Sequence, residues 1–199
     1  MQVIELLQEA VGAEGVLLTT SCTAALELSA MLLEIKPGEN VIVPSFTFVT
    51  TAQAFAREGA ELRFADIEAD TLGLDPDSVR DLVDGQTRAV VPVHYGGIGM
   101  RIEQLQALCR PLGISIIEDN AHGLFGSVGH RPLGSFGRFA TLSFHETKNF
   151  SCGEGGALLI NDHRDIARAD ILYDKGTNRR AFFENQVDRY TWVDKGSSF

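Results

Sequence analysis

Three separated segments hold residue types able to do chemistry: Thr20-Ser21-Cys22-Thr23-Ala24-Ala25, Glu118-Asp119-Asn120-Ala121-His122 and Ser143-Phe144-His145-Glu146-Thr147-Lys148-Asn149. The first opens a stretch with apolar residues at helical spacing. Its small residues Cys22, Thr23 and Ala24 would present backbone N–H groups that have no partner inside the helix, backed by the positive end of the helix dipole. That is an anion site, although a Ser or Thr here is also the ordinary helix N-cap. Asp119 closes the apolar run Ile114-Ser115-Ile116-Ile117, where a buried carboxylate is costly unless a cation meets it. Lys148 follows another apolar run and precedes Cys152-Gly153-Glu154-Gly155-Gly156, whose backbone can approach a ligand or a neighbouring strand closely.

A phosphate anchor, a carboxylate for a pyridine nitrogen, a lysine for an aldehyde and a flat surface for a ring are the four requirements of pyridoxal-phosphate (PLP) chemistry. Cys22 to Ala24, Asp119 and Lys148 supply the first three. Phe48, just beyond Val43-Pro44, is a candidate to stack on the ring. His122 is able to hydrogen-bond the phenolic oxygen of PLP, and Ser143 to donate to its phosphate. Each residue has a commoner structural use: core packing for the phenylalanine, a helix cap for the aspartate, a solvated face for the lysine. Their joint placement beyond strand ends, where open α/β sheets collect ligands, is what singles them out. His94 and Tyr95 follow a buried run and are further candidates to line the site.

The elements that must position these residues are legible as short Val/Ile/Leu runs alternating with segments of helical period. Strands are expected at Val16 to Thr19, Asn40 to Val43, Glu61 to Ala65, Ala89 to Val93, Ser115 to Glu118, Thr141 to Phe144 and Ala157 to Ile160. Helices are expected at Thr23 to Ile35, stopped by Lys36-Pro37-Gly38, and at Ser45 to Arg57, Asp75 to Val83, Ile102 to Leu112 and His163 to Tyr173. A short helix precedes the first strand. The pattern is α/β with a mainly parallel seven-stranded sheet flanked by helices. Beyond about residue 175 the chain turns polar and aromatic without strong periodicity, and its abrupt ends point to truncation.

The formal charge of −10, without a basic cluster, argues against polymeric nucleic acid as a partner. Three cysteines with no CxxC spacing argue against a disulfide framework or a zinc site. The five histidines show no HxH or HExxH spacing, so no catalytic metal is expected. No GxGxxG, P-loop or GxSxG motif is present. The first residues do not read as a signal peptide, and no apolar run approaches the roughly 20 residues of a membrane span, so a cytoplasmic chain is expected.

Read in order, SCTAALE, PGENVIVPSFTFVTTA, VPVHYGG, IIEDNAH, SFHETKN and EGGALLIND resemble the DegT/DnrJ/EryC1/StrS family of sugar aminotransferases over almost the whole chain. The resemblance implies the large domain of a type I PLP-dependent transferase. Residues 1–175 would be that domain, incomplete at its N-terminus, and 176–199 the start of a connection toward a missing small C-terminal domain. It implies Lys148 as the PLP lysine, Asp119 as the pyridinium partner, His122 beside the ring oxygen, Phe48 as the stacking aromatic, and Cys22, Thr23, Ala24 and Ser143 around the phosphate. Many relatives have glycine at the position of Cys22, and alanine or cysteine at that of Asn120. The implied reaction is amino transfer from L-glutamate to C4 of dTDP-4-dehydro-6-deoxy-D-glucose, feeding cell-surface polysaccharides such as enterobacterial common antigen. Family members are homodimers with a shared active site. Related dehydratases replace the lysine by histidine, so Lys148 favours transamination. Another nucleotide keto sugar, or a non-catalytic fragment that keeps the fold, is the alternative.

Overall fold

The computed structural model describes residues 2–199. In chain order the elements are α1 (Gln2–Val11), β1 (Gly15–Thr19), α2 (Cys22–Leu33), β2 (Asn40–Pro44), α3 (Thr50–Arg57), β3 (Glu61–Ala65), α4 (Pro76–Leu82), β4 (Thr87–Val90), α5 (Ile102–Cys109), β5 (Ser115–Asp119), β6 (Ser127–Val128), β7 (Arg131–Pro132), β8 (Phe139–Ser143), β9 (Gly156–Ile160), α6 (Ile166–Tyr173) and α7 (Arg179–Phe183). Short 3₁₀ turns cover Tyr95–Gly97, Arg110–Leu112 and His163–Asp165.

Seven strands form one sheet in the order β1-β9-β8-β5-β4-β2-β3, with β6 and β7 as a separate two-stranded ribbon. All pairings between β3 and β8 are parallel, while β9 runs antiparallel to both β8 and β1. Six of the seven strands therefore point the same way. Side chains alternate across the sheet, as the pleat requires. Val41 and Val43 of β2 face one layer with Leu26, Leu33, Phe55 and Leu172, whereas Ile42 faces the other with Val79, Ile102 and Leu105. A third cluster joins Leu7 and Val11 of α1 to Ala140 and Leu142 of β8 and to Ala157 and Leu159 of β9. Fully buried side chains such as Phe55 and Phe139 each contribute about 1.5–3 kcal/mol to holding these layers.

The expected sheet is present, and the bounds of several elements differ, three of them for identifiable reasons. β4 begins at Thr87 and ends at Val90, earlier than the expected Ala89 to Val93. Val91 still donates to the Ile42 carbonyl, but Pro92 has no N–H and interrupts the ladder. The expected helix from Ser45 starts only at Thr50: Ser45 continues the sheet by donating to the Ala65 carbonyl, and residues 45–49 form a loop over the sheet edge. α2 stops at Leu33, where Glu34 turns left-handed with φ 52°, before the expected stop at Lys36-Pro37-Gly38. The ribbon β6–β7 and helix α7 were not anticipated, being too short to leave a periodic pattern.

Candidate active site

Six sequence segments meet at one edge of the sheet. The parallel strands β5 and β8 end there at Asp119 and Ser143, α2 begins there at Cys22, and the loops after β2 and β4 bring residues 45–49 and His94 to Gly97. Because β9 runs the opposite way, its first residue, Gly156, lies at the same edge. Together they enclose a cavity of about 500 Å³. Cys22, Thr23, Phe48, Asp119, His122, Ser143 and Lys148 all line it. Ala24 does not: it is buried, and its N–H is taken by the Ser21 hydroxyl at 3.1 Å, the N-cap bond that ends the helix. The N-terminal turn of α2 faces the cavity through Cys22 and Thr23.

Asp119 is 5% exposed, and its two carboxylate oxygens are separately held. Oδ2 accepts the Thr51 hydroxyl at 2.7 Å and Oδ1 accepts the Ala121 N–H at 3.2 Å. Burial pushes the carboxyl above its ordinary range. The Thr51 and Ala121 hydrogen bonds and the Lys148 charge oppose that shift. A buried carboxylate that meets a cavity and is not neutralised by a contacting basic side chain has the chemistry to receive a cationic ligand group.

Lys148 sits in the turn after β8, its N–H donating to the His145 carbonyl at 2.9 Å. Its ammonium is close enough to act on Asp119, His122 and Cys22. The side-chain amide of Asn149 donates to the His122 carbonyl at 3.3 Å, tying the lysine loop to the loop after β5. Partial burial, then the Lys148 charge, lower the His122 pKa and favour the neutral ring, against the opposing pull of Asp119. His122 Nδ1 accepts the Gly96 N–H at 3.1 Å, so the neutral ring carries its proton on Nε2. Burial and the Asp119 charge push the Cys22 thiol upward, and it donates to Thr141 Oγ1 at 3.4 Å.

Behind the site, the fully buried Glu118 carboxylate accepts four hydrogen bonds. Oε1 takes the N–H groups of Phe136 and Gly137, each at 2.7 Å, and Oε2 takes the Gly134 N–H and meets His94 Nε2, each at 2.8 Å. His94 N in turn donates to the Asp119 carbonyl at 3.2 Å. Glu118 thus fixes the strand that carries Asp119 and the turn that carries Tyr95 and Gly96. His94 is therefore a supporting residue outside the cavity wall, whereas Tyr95 lines it. Asn120 is buried beside Gly123 and Gly134, also outside the wall.

Phe48 is 71% exposed at the cavity rim, and a second aromatic pair stands beside it: the Phe46 and Tyr95 rings lie 4.9 Å apart, with Tyr95 edge-on to His122 at 5.5 Å. Phe46, Thr47, Thr147 and Glu154 also line the cavity and were not singled out in the sequence, nor was Thr51 behind them. The cluster Phe46-Thr47-Phe48 directly after a strand end was the available signal for the first two. Among the described residues, no group of three or more His, Cys, Asp or Glu is arranged to hold a metal ion, and no helix is long and apolar enough to cross a membrane.

Comparison with known proteins agrees with this fold. The model of the DegT/DnrJ/EryC1/StrS aminotransferase family matches residues 4–193. The spore coat polysaccharide biosynthesis protein SpsC of Bacillus subtilis is 37% identical over 172 residues, which are 86% of this chain and 44% of that protein. Among solved structures, 3-amino-5-hydroxybenzoic acid synthase superposes with a TM-score of 0.91 at 30% identity, covering 100% of this chain and 50% of its own. A Streptococcus pneumoniae chain assigned as a sugar aminotransferase, solved in its PLP form, gives a TM-score of 0.86 at 26% identity, covering 98% of this chain and 53% of its own. The chain spans about half the length of the relatives it matches.

Proposed function

Since the chain belongs to the DegT/DnrJ/EryC1/StrS aminotransferase family, we propose that it carries the cofactor-binding half of a PLP-dependent sugar aminotransferase. The observation that carries this reading is the convergence of Asp119, His122 and Lys148 on one cavity, opposite the first turn of α2. The donor set fits the cofactor: a buried carboxylate without a contacting cation, a primary amine, a neutral imidazole and an anion-binding helix start.

When bound, the cofactor supplies an electron sink for the carbanion left at the amino-acid Cα. Asp119 would hold the proton on the ring nitrogen. The Lys148 amine would be the group that holds the aldehyde end of the cofactor, and it is the base and acid placed to move protons at Cα and at the sugar carbon. His122 offers Nε2–H to the ring oxygen. The backbone of Cys22 and Thr23, the Thr23 hydroxyl and Ser143 hold the phosphate. Phe48, Phe46 and Tyr95, which all line the cavity, would supply the flat surface for the ring.

Within that class, the proposed reaction is transfer of the amino group of L-glutamate to C4 of dTDP-4-dehydro-6-deoxy-D-glucose in a homodimer. It is supported by the likeness of SFHETKN, KGTNR and QVDRYTW to dTDP-4-amino-4,6-dideoxygalactose transaminase. The test is the absorption spectrum with PLP before and after borohydride, in wild type and Lys148→Ala, followed by 2-oxoglutarate release with glutamate and the keto sugar. A visible band that borohydride traps and that Lys148→Ala lacks is the expected result. Its absence from a folded wild-type sample would end the reading.

A further inference from the structure

The geometry points to Thr51 as a positioning residue for this site: its hydroxyl, backed by that of Thr47, fixes the Asp119 carboxylate in the orientation in which it meets the cofactor's ring nitrogen. This rests on the reading of Asp119 given above. Thr51 lies in the first turn of α3 and is fully buried, with Oγ1 2.7 Å from Asp119 Oδ2. On its other side, Thr51 Oγ1 is 2.7 Å from Thr47 Oγ1. An ionised carboxylate only accepts, so Thr51 spends its one proton on Asp119 and must accept from Thr47. The two hydroxyls thus form a chain with a single direction, running from the cavity wall at Thr47 to the buried carboxylate.

The arrangement matters because Asp119 is anchored on β5 only through its own backbone. Left free, its carboxylate could rotate, and the Ala121 N–H holds only Oδ1. The Thr51 bond reaches across from another layer, 68 residues away in sequence, and fixes the second oxygen. Threonine suits the position because its branched Cβ restricts χ1, so the hydroxyl is aimed before the ligand arrives. The bond also favours the ionised carboxylate against burial, alongside the Ala121 hydrogen bond and the Lys148 charge.

The test uses Thr51→Val, which keeps the shape and removes the donor, Thr51→Ser, which restores the donor, and Thr47→Val at a half-buried loop position. Two quantities are read: the titration midpoint of the Asp119 carboxyl by carbon NMR in the cofactor-free protein, and the dissociation constant for PLP. Thr51→Val is expected to raise the midpoint by about one unit and to weaken PLP binding about ten-fold or more. Thr51→Ser should return both close to wild type. Thr47→Val should move both in the same direction by less, and it serves as the reading if Thr51→Val does not fold. An unmoved midpoint, or a moved midpoint with wild-type PLP affinity, overturns the proposal. A borohydride-trapped adduct that persists in Lys148→Ala would instead overturn the assignment of the lysine, because the midpoint is measured without cofactor.

Discussion

Gly156, the first residue of β9, lies against the peptide that starts α2, so that a Cβ placed on it would sit 2.5 Å from the backbone nitrogen of Cys22. The neighbouring atoms are backbone and have no rotamer with which to yield. Gly156→Ala is therefore expected to push the first turn of α2 away from the cavity. A strained insertion of this kind costs about 1–3 kcal/mol. Thermal unfolding should register that loss, and PLP titration should show an affinity fall of ten-fold or more. A variant with wild-type PLP affinity would show that the helix start does not hold the phosphate.

Asp119 gives the cofactor-free protein a definite pH dependence. Burial raises its folded pKa above the ordinary value, so between the two values the folded state binds more protons than the unfolded state. Its contribution to stability is then largest at low pH and declines as pH rises through the folded value. Asp119→Asn, which stays neutral, should be at least as stable as wild type at pH 8 without cofactor, with the gap narrowing toward pH 5. Denaturant titrations at both pH values measure this. With PLP present the order should reverse, because only the carboxylate meets the ring nitrogen as an ion.

Glu118→Gln should be far more damaging to the fold than its conservative chemistry suggests. Four donors converge on the two carboxylate oxygens, and an amide would turn an N–H toward two of them. The expected loss is about 3 kcal/mol, from groups left buried without acceptors. A loss of unfolding free energy in urea of less than about 1 kcal/mol would refute the assignment of Glu118 as the anchor of residues 134–137.

The three cysteines should differ in reactivity. The thiolate is the reactive form. Burial pushes Cys109 up to about 12, and burial together with Asp119 pushes Cys22 upward as well, whereas Cys152 is exposed. Iodoacetamide at pH 8 should alkylate Cys152 at least about ten times faster than either of the others. Mass spectrometry of the digested protein decides it, and equal labelling of Cys22 would contradict the upward shift of its thiol.

Much of the site was readable because its residues sit where strand patterns stop. Asp119 ends an apolar run, Ser143 and Lys148 follow one, and Cys22 and Thr23 begin a helix, so spacing alone brought them to a single edge. Thr51 gave no such sign: a threonine in the first turn of a helix looks like any other, and its meaning arises from a bond to a strand far away in sequence. The use of the Ala24 N–H was not legible, because the sequence does not say which N–H the Ser21 cap will take. His94 was visible as a residue after a strand, but whether it faced the cavity or Glu118 depended on Pro92 displacing the end of β4.

The adjacent carboxylates of β5 also discriminate between docking frames. Ile116 and Ile117 belong to opposite apolar layers, so hydrophobic patterning would tolerate β5 sliding by one residue against β8 better than in a strand with a single greasy face. Such a slip would carry Glu118 away from the amides of residues 134–137 and offer them the wrong side chain. Those amides accept only one alignment. The dipeptide that delivers a carboxylate to the cavity thereby also proofreads the assembly of the strand that delivers it.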